Sequence, residues 1–302
     1  DGGELGVLHS LLVVRNGHLV LDEYFHGYDP GILHHLASCT KSVSSLLAGL
    51  AIQEGAIPSV DTKILDLIPE AREIAGEGWE DLTLKHLLTM SMALDWSPED
   101  AENLHGTGPE FFQRIFSRSV SGTPGEDFQY VSANVNLLAG ILHETTGAHA
   151  EAFAERTLFG PLGIESWDWS GMKTGGYNLM DGSLRLLPRD MAKLGQMALD
   201  GGRWKGTQVI DGDWIRESTA AHIGVPPGPE GYGYLWWTRE APGPQGTSVP
   251  AFFANGWGSQ FIMVFPTLEM VVVTTGGNDY NGMHMRAAEG IARYLLPAIQ
   301  VE

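Results

Sequence analysis

Read as a pattern of apolar and polar positions, the chain opens with two β-rich runs in "LHSLLVVRNGHLVLDEYF", flanking Asn16-Gly17. That dipeptide suits the left-handed turn of a two-residue loop, so the pattern predicts an opening β-hairpin. From Val43 the period lengthens: Val43, Leu46, Leu47 and Leu50 fall at i, i+3, i+4 and i+7, which predicts a helix with one buried face. From about Asp61 to Gly176 the signals are mainly helical, clearest in "LTLKHLLTM" and "NVNLLAGILHETTG", with loops rich in Gly, Pro and Ser between them. "PRDMAKLGQMAL" predicts another helix, followed by strands at "YGYLWW", "AFFANGW", "QFIMVF" and "MVVVTTG". A last helix runs from about His284 to Leu296 and is stopped by Pro297.

Strands at both ends and helices between them predict an α/β fold, a sheet drawn from distant parts of the chain with helices on its faces. Residues 1–60 and 177–302 are expected to form the α/β core domain and residues 61–176 an inserted helical domain. The cleft between them is the expected site. No internal repeat or low-complexity tract interrupts this plan.

Composition narrows the class. With 302 residues, 43% hydrophobic and 18% charged, the chain can bury a large core and reads as globular. A formal charge of −19 argues against nucleic acid or an anionic membrane surface as partner, since both need clustered Lys and Arg. No apolar run approaches the roughly 18 residues needed to span a bilayer. One cysteine allows no internal disulfide and leaves the redox compartment open. The chain begins at Asp1 rather than Met, which reads as a processed or trimmed form.

In "LASCTKSV", Ser38 and Lys41 stand three residues apart where the first helix begins, and so share one helical face. A serine hydroxyl is a poor nucleophile until something takes its proton, and a lysine can do so only if its own proton is removed by desolvation or by neighbouring positive charge. A helix N-terminus would favour an oxyanion beside Ser38. The same spacing also fits Ser38 as a helix cap with Lys41 in solvent. Cys39 should point about 100° around the helix and pack as a small side chain. The 11 histidines include His34 and His35 but show no metal-ligand spacing, so neither a metal nor any other cofactor is expected.

Several stretches in order carry a resemblance over almost the whole length: "LASCTKSV", "LTLKHLLTMSMALDW", "PGEDFQYVSANVNLLAGILHETTG", "DGSLRLLPRDMAKLGQMALDGGRW", "YGYLWW" and "FFANGWGSQFIMVFP". The chain resembles the penicillin-recognising serine hydrolases, which include class C β-lactamases, DD-peptidases, and related esterases and 6-aminohexanoate-oligomer hydrolases. The resemblance implies a β-lactamase-like fold with a mainly antiparallel sheet. It makes Ser38 the acylated nucleophile, Lys41 its activating partner and Tyr130 the proton shuttle to the leaving group. The usual second motif is Tyr-x-Asn. Here Tyr130-Val131-Ser132 places Ser132 at the substrate-side position and leaves Asn134 as an expected helix-surface residue.

The third motif, Lys-Thr-Gly, has two candidates. Lys173-Thr174-Gly175 matches literally but is flanked by loop-like sequence, whereas Ala254-Asn255-Gly256 lies in the strand pair expected at the sheet edge. The second is taken, which makes the Trp257 backbone N–H the oxyanion partner of the Ser38 N–H. It also places Asn255 and Gly256 against the substrate, as the second motif does Ser132; Tyr177, in the loop "GGYN" whose glycines suit an exposed mobile loop, is expected to reach the cleft. Trp96, Trp236, Trp237 and Trp257 are candidates to wall an acyl pocket. The implied function is a serine hydrolase of small esters or amides. The alternatives are a β-lactamase or D-amino-acid peptidase and, from another class, a catalytically silent ligand-binding relative. The resemblance implies a periplasmic or secreted location ahead of a cytoplasmic one.

Overall fold

Asn16 and Gly17 take φ values of 50° and 73°, the paired left-handed angles of a tight hairpin turn. They join β1 (Leu8–Arg15) to β2 (His18–Tyr24). Residues 5–97, 110–170, 173–174, 176–278 and 283–300 of this computed structural model are described, 173–174 by backbone alone.

The next long element is α1 (Cys39–Gln53). The apolar period predicted one buried face, yet every residue from Cys39 to Ala51 is buried. The helix runs through the middle of the molecule, and its small polar residues find partners there. Ser42 Oγ donates to the Leu235 carbonyl (2.7 Å) and Ser44 Oγ to the Met180 carbonyl (2.7 Å). A helix buried all round needs small or satisfied residues on every side, which "CTKSVSSLLAGLA" supplies.

The described residues of the segments 64–97 and 110–162 are helical in short pieces. Thr83 and His86 form a reciprocal cap on Leu84–Leu88: Thr83 Oγ1 accepts from the His86 N–H and His86 Nδ1 from the Thr83 N–H. Later come α2 (Ser132–Val135) and α3 (Leu137–Thr146), joined at Asn136, and then α4 (Pro188–Leu199).

The remaining strands of the large sheet are β3 (Ile223–Gly224), β4 (Gly231–Tyr232), β5 (Trp237–Pro242), β6 (Ser248–Gly256), β7 (Gln260–Phe265) and β8 (Met270–Gly276). With the hairpin they make an eight-stranded antiparallel sheet in the order β3-β4-β5-β6-β7-β8-β1-β2. Two expectations need correction. "YGYLWW" is not one strand: the Gly233 N–H donates to the Trp236 carbonyl (2.8 Å) and Leu235 takes a positive φ of 60°, so a turn divides β4 from β5. The pair β6 and β7 lies at the centre of the sheet rather than at its edge.

Both faces of the sheet are covered. Phe252 and Ala254 of β6 join the core that surrounds α1, while Phe253 faces the opposite core with Phe261, Ile291 and Leu296. Double coverage explains why β7 and β8 read as unbroken buried runs instead of alternating. The expected last helix is a succession of short pieces, with α5 (Arg286–Gly290) preceded by a 3₁₀ turn and followed by a π turn at Ile291–Leu295.

Candidate active site

Ser38 caps α1 only in the backbone sense: its φ and ψ of −68° and −8° are already helical, and its side chain makes no cap hydrogen bond. Lys41 is not in solvent either. It is 1% exposed, and its Nζ donates to Ser38 Oγ at 2.8 Å and to the Asp181 carbonyl at 2.9 Å. Among the described residues Lys41 has no carboxylate at ion-pair distance. The reading of a capping serine with a solvated lysine is therefore set aside.

The approach to Ser38 is pinned from both sides. His34–His35 pairs with Arg185–Leu186, and the Leu36 N–H donates to the Leu184 carbonyl (2.9 Å). Ala37 then takes a φ of 47°, rare for a residue with a Cβ, and its N–H donates to His35 Nδ1 (3.1 Å). Its carbonyl accepts from Thr40 Oγ1 (2.7 Å). The β6 end closes on the same segment: a Cβ at Gly256 would lie 2.3 Å from the Leu36 carbonyl oxygen. Only glycine permits that approach, which brings Trp257 beside the start of α1. Among the described residues, neither the Ser38 nor the Trp257 backbone N–H has a hydrogen-bond partner.

Tyr130 is 37% exposed, and Lys41 Nζ lies 5.1 Å from its ring centroid. Its ring packs against Trp237 (5.5 Å) and Tyr232 (6.3 Å). Tyr232 is fully buried; burial and then the neighbouring Tyr130 push its phenol well above the usual tyrosine value, so it stays protonated. Ser132 is half-buried at the start of α2, two residues from Tyr130. The structure thus gathers Ser38, Lys41, Tyr130, Gly256 and Trp257 at one place.

Other expected residues lie elsewhere. Asn255 alternates with Ala254 and Gly256 along β6, so its side chain falls on the opposite sheet face, 3.8 Å from Met285 Sδ. Tyr177 packs on Phe112, His143 and His149. Asn134 is buried rather than on a helix surface, and its Oδ1 accepts from Trp96 Nε1 (3.1 Å). Trp236 is a core residue against Phe252. The literal Lys173–Thr174 forms a two-residue strand with Tyr177–Asn178, outside the large sheet; Gly175 lies outside the described residues. Cys39 is buried, its Sγ donating to the Gln260 carbonyl (3.1 Å), and burial pushes its thiol well up.

Two contributors escaped the sequence reading. The Asp181 carbonyl receives Lys41, and Asn136 Oδ1 accepts from the Met180 N–H (2.7 Å) and the Asp181 N–H (3.3 Å). Backbone acceptors leave no residue-type signal. Asn136 carried only a faint one, an asparagine inside an apolar helical run.

Among the described residues, no group of three or more His, Cys, Asp or Glu is placed to hold a metal, and no helix is long and apolar enough to cross a membrane. The 6-aminohexanoate-dimer hydrolase of Paenarthrobacter ureafaciens is 25% identical over 227 residues, 70% of this chain and 57% of that protein. This chain therefore spans little more than half the length of that relative. The octameric penicillin-binding protein homologue of Pyrococcus abyssi superposes with a TM-score of 0.76 at 21% identity, over 95% of this chain and 73% of that one. EstCE1, a hydrolase with promiscuous acyltransferase activity, gives a TM-score of 0.73 at 15% identity over 94% and 93%. Both show a β-lactamase-like fold. The beta-lactamase family matches residues 6–295, a span that takes in the Ser38 helix, the Tyr130 segment and the Gly256 turn, and the chain belongs to that family of hydrolases.

Proposed function

We propose that this protein is a serine hydrolase that cleaves small esters or amides through an acyl-enzyme on Ser38. The observation that carries the reading is the buried Lys41 amine, 2.8 Å from Ser38 Oγ, with the Asp181 carbonyl as its other hydrogen-bond acceptor among the described residues. As Oγ attacks the substrate carbonyl, its proton passes to Lys41 and the developing oxyanion accepts from the Ser38 and Trp257 N–H groups. Tyr130 hands a proton to the leaving group as its bond to the acyl carbon breaks, and the proton that Lys41 took from Ser38 restores the phenol. Water then attacks the acyl ester, its proton passing to Lys41; as the acyl–Oγ bond breaks, Lys41 returns that proton to Ser38 Oγ and the acid leaves. Burial of Lys41 beside the half-exposed Tyr130 supports this division of labour.

A fluorophosphonate probe tests the reading directly: labelling of the wild type but not of Ser38→Ala is expected. Failure of the wild type to label would favour a catalytically silent binding relative. A panel of short aryl esters, 6-aminohexanoate dimer, D-amino-acid peptides and a β-lactam then sorts the substrate class. The β-lactam is expected at the bottom, since Ala254 stands where the third motif has lysine and is fully buried.

A further inference from the structure

We infer that Asn136 is a positioning residue for the Ser38–Lys41 pair, acting through the backbone of Met180 and Asp181. The inference rests on the acyl-enzyme reading above. Lys41 has two acceptors, and only one is the nucleophile; the other, the Asp181 carbonyl, decides where Nζ sits when Ser38 moves toward substrate.

That carbonyl belongs to a peptide segment tied at successive points. The Met180 carbonyl accepts from Ser44 Oγ of α1 at 2.7 Å. The Met180 and Asp181 N–H groups both donate to one carboxamide oxygen, Asn136 Oδ1, at 2.7 and 3.3 Å. Asn136 is 2% exposed, at the junction of α2 and α3, six residues past Tyr130. One side chain therefore couples the Tyr130 segment to the backbone that receives the lysine of the first motif, Asn136 and Met180 being 44 residues apart in sequence.

The amide is suited to this place. It offers an acceptor with no charge, whereas a carboxylate would hold Lys41 as ammonium and oppose its taking the Ser38 proton. The ionisable groups already beside Lys41 are the Cys39 thiol and the Tyr130 phenol; Asp181 meets it through its backbone carbonyl, and among the described residues its carboxylate makes no ion pair with Lys41.

The test measures kcat and KM against pH for the full chain, as wild type, Asn136→Ala and Asn136→Asp, with thermal melts. Asn136→Ala should lower kcat by about 10–100-fold, as displaced catalytic groups do, with KM within about twofold. Asn136→Asp keeps both acceptor bonds, so it should approach the wild-type maximal kcat but reach it only at higher pH. If Asn136→Ala melts before assay, the Asp variant decides alone. A wild-type pH profile in Asn136→Asp, or a lowered melting point in Asn136→Ala with unchanged kcat, would overturn the inference. Ser38→Ala separates the two ideas: if it stays active, the acyl-enzyme reading fails; if it is dead while Asn136→Ala is normal, only the positioning role fails.

Discussion

The Ser38–Lys41 side of the cleft is held by buried bonds at nearly every residue, whereas the facing wall of Tyr130, Trp237 and Trp257 is partly open to solvent. Lys41 is 1% exposed; Trp257 is 54% exposed and rests flat on His284, centroids 5.0 Å apart. The buried side keeps the serine and lysine of the family motif. Beside Tyr130 the half-buried Ser132 stands at the position expected for an asparagine, while Ala254, at the position expected for a lysine, is fully buried in the core. The proposed nucleophile and base thus lie in the buried, hydrogen-bonded part of the site, and the proposed proton donor and oxyanion partner in the more exposed part.

The sharpest way to break this contrast is Lys41→Ala, which is expected to abolish turnover of every substrate while the protein still melts cooperatively. Retention of more than about a tenth of wild-type kcat/KM, a loss under ~1.4 kcal/mol, would remove Lys41 from the chemistry. Next in size is Tyr130→Phe. It should slow cleavage of substrates with poor leaving groups by roughly 10²–10⁴-fold and affect activated aryl esters less. Equal rates for the wild type and Tyr130→Phe on an amide substrate would reassign the proton shuttle.

The recognition side gives a smaller effect. A charge-assisted hydrogen bond contributes about 1.5–3 kcal/mol, so lacking the third-motif lysine should put a chromogenic cephalosporin roughly ten- to 150-fold below the best aryl ester. Steady-state rates that match would mean that carboxylate recognition survives by another route.

The smallest effect concerns stability of the wall. Burial, then the neighbouring Lys85, holds His86 below its usual imidazole value, with Asp61 pulling the other way. Its Nδ1 accepts from the Thr83 N–H (3.2 Å), a bond available only to the neutral ring. The folded state thus binds fewer protons than the unfolded one, so stability is complete above about pH 6.5 and falls as pH drops from there through the folded value. Melts at pH 7.5 and 5.5 should show this fall, and His86→Gln, which can complete the same cap without titrating, should flatten it.

How much of this was legible depended on whether the signal was local. Asn16-Gly17 specified the hairpin because two adjacent residues supply the whole turn. Ser38 and Lys41 were legible because helical spacing alone puts them together. Asn255 was misplaced because strand alternation decides its face, and the anchor for that alternation, Gly256 against Leu36, lies more than two hundred residues away. Asn134 looked like a surface residue because its partner Trp96 comes from a loop with no periodicity. The all-round burial of α1 was hidden for a related reason: its serines are paid in hydrogen bonds by carbonyls of Met180 and Leu235, which no local pattern announces.

Cys39, the chain's single cysteine, is wedged between α1 and β7 one position from Ser38. A bulky thiol reagent can reach it only when the helix parts from the sheet, so its reaction rate is a clock for that opening event rather than a probe of the resting cleft. Inactivation by such a reagent would track urea concentration and temperature and would be insensitive to a competitive substrate that leaves the opening equilibrium alone. A tight ligand bridging Ser38 and Trp257 would do the opposite, lengthening the labelling half-time by a factor of one plus the ratio of free ligand concentration to Kd and turning one buried sulfur into a readout of binding at the neighbouring hydroxyl.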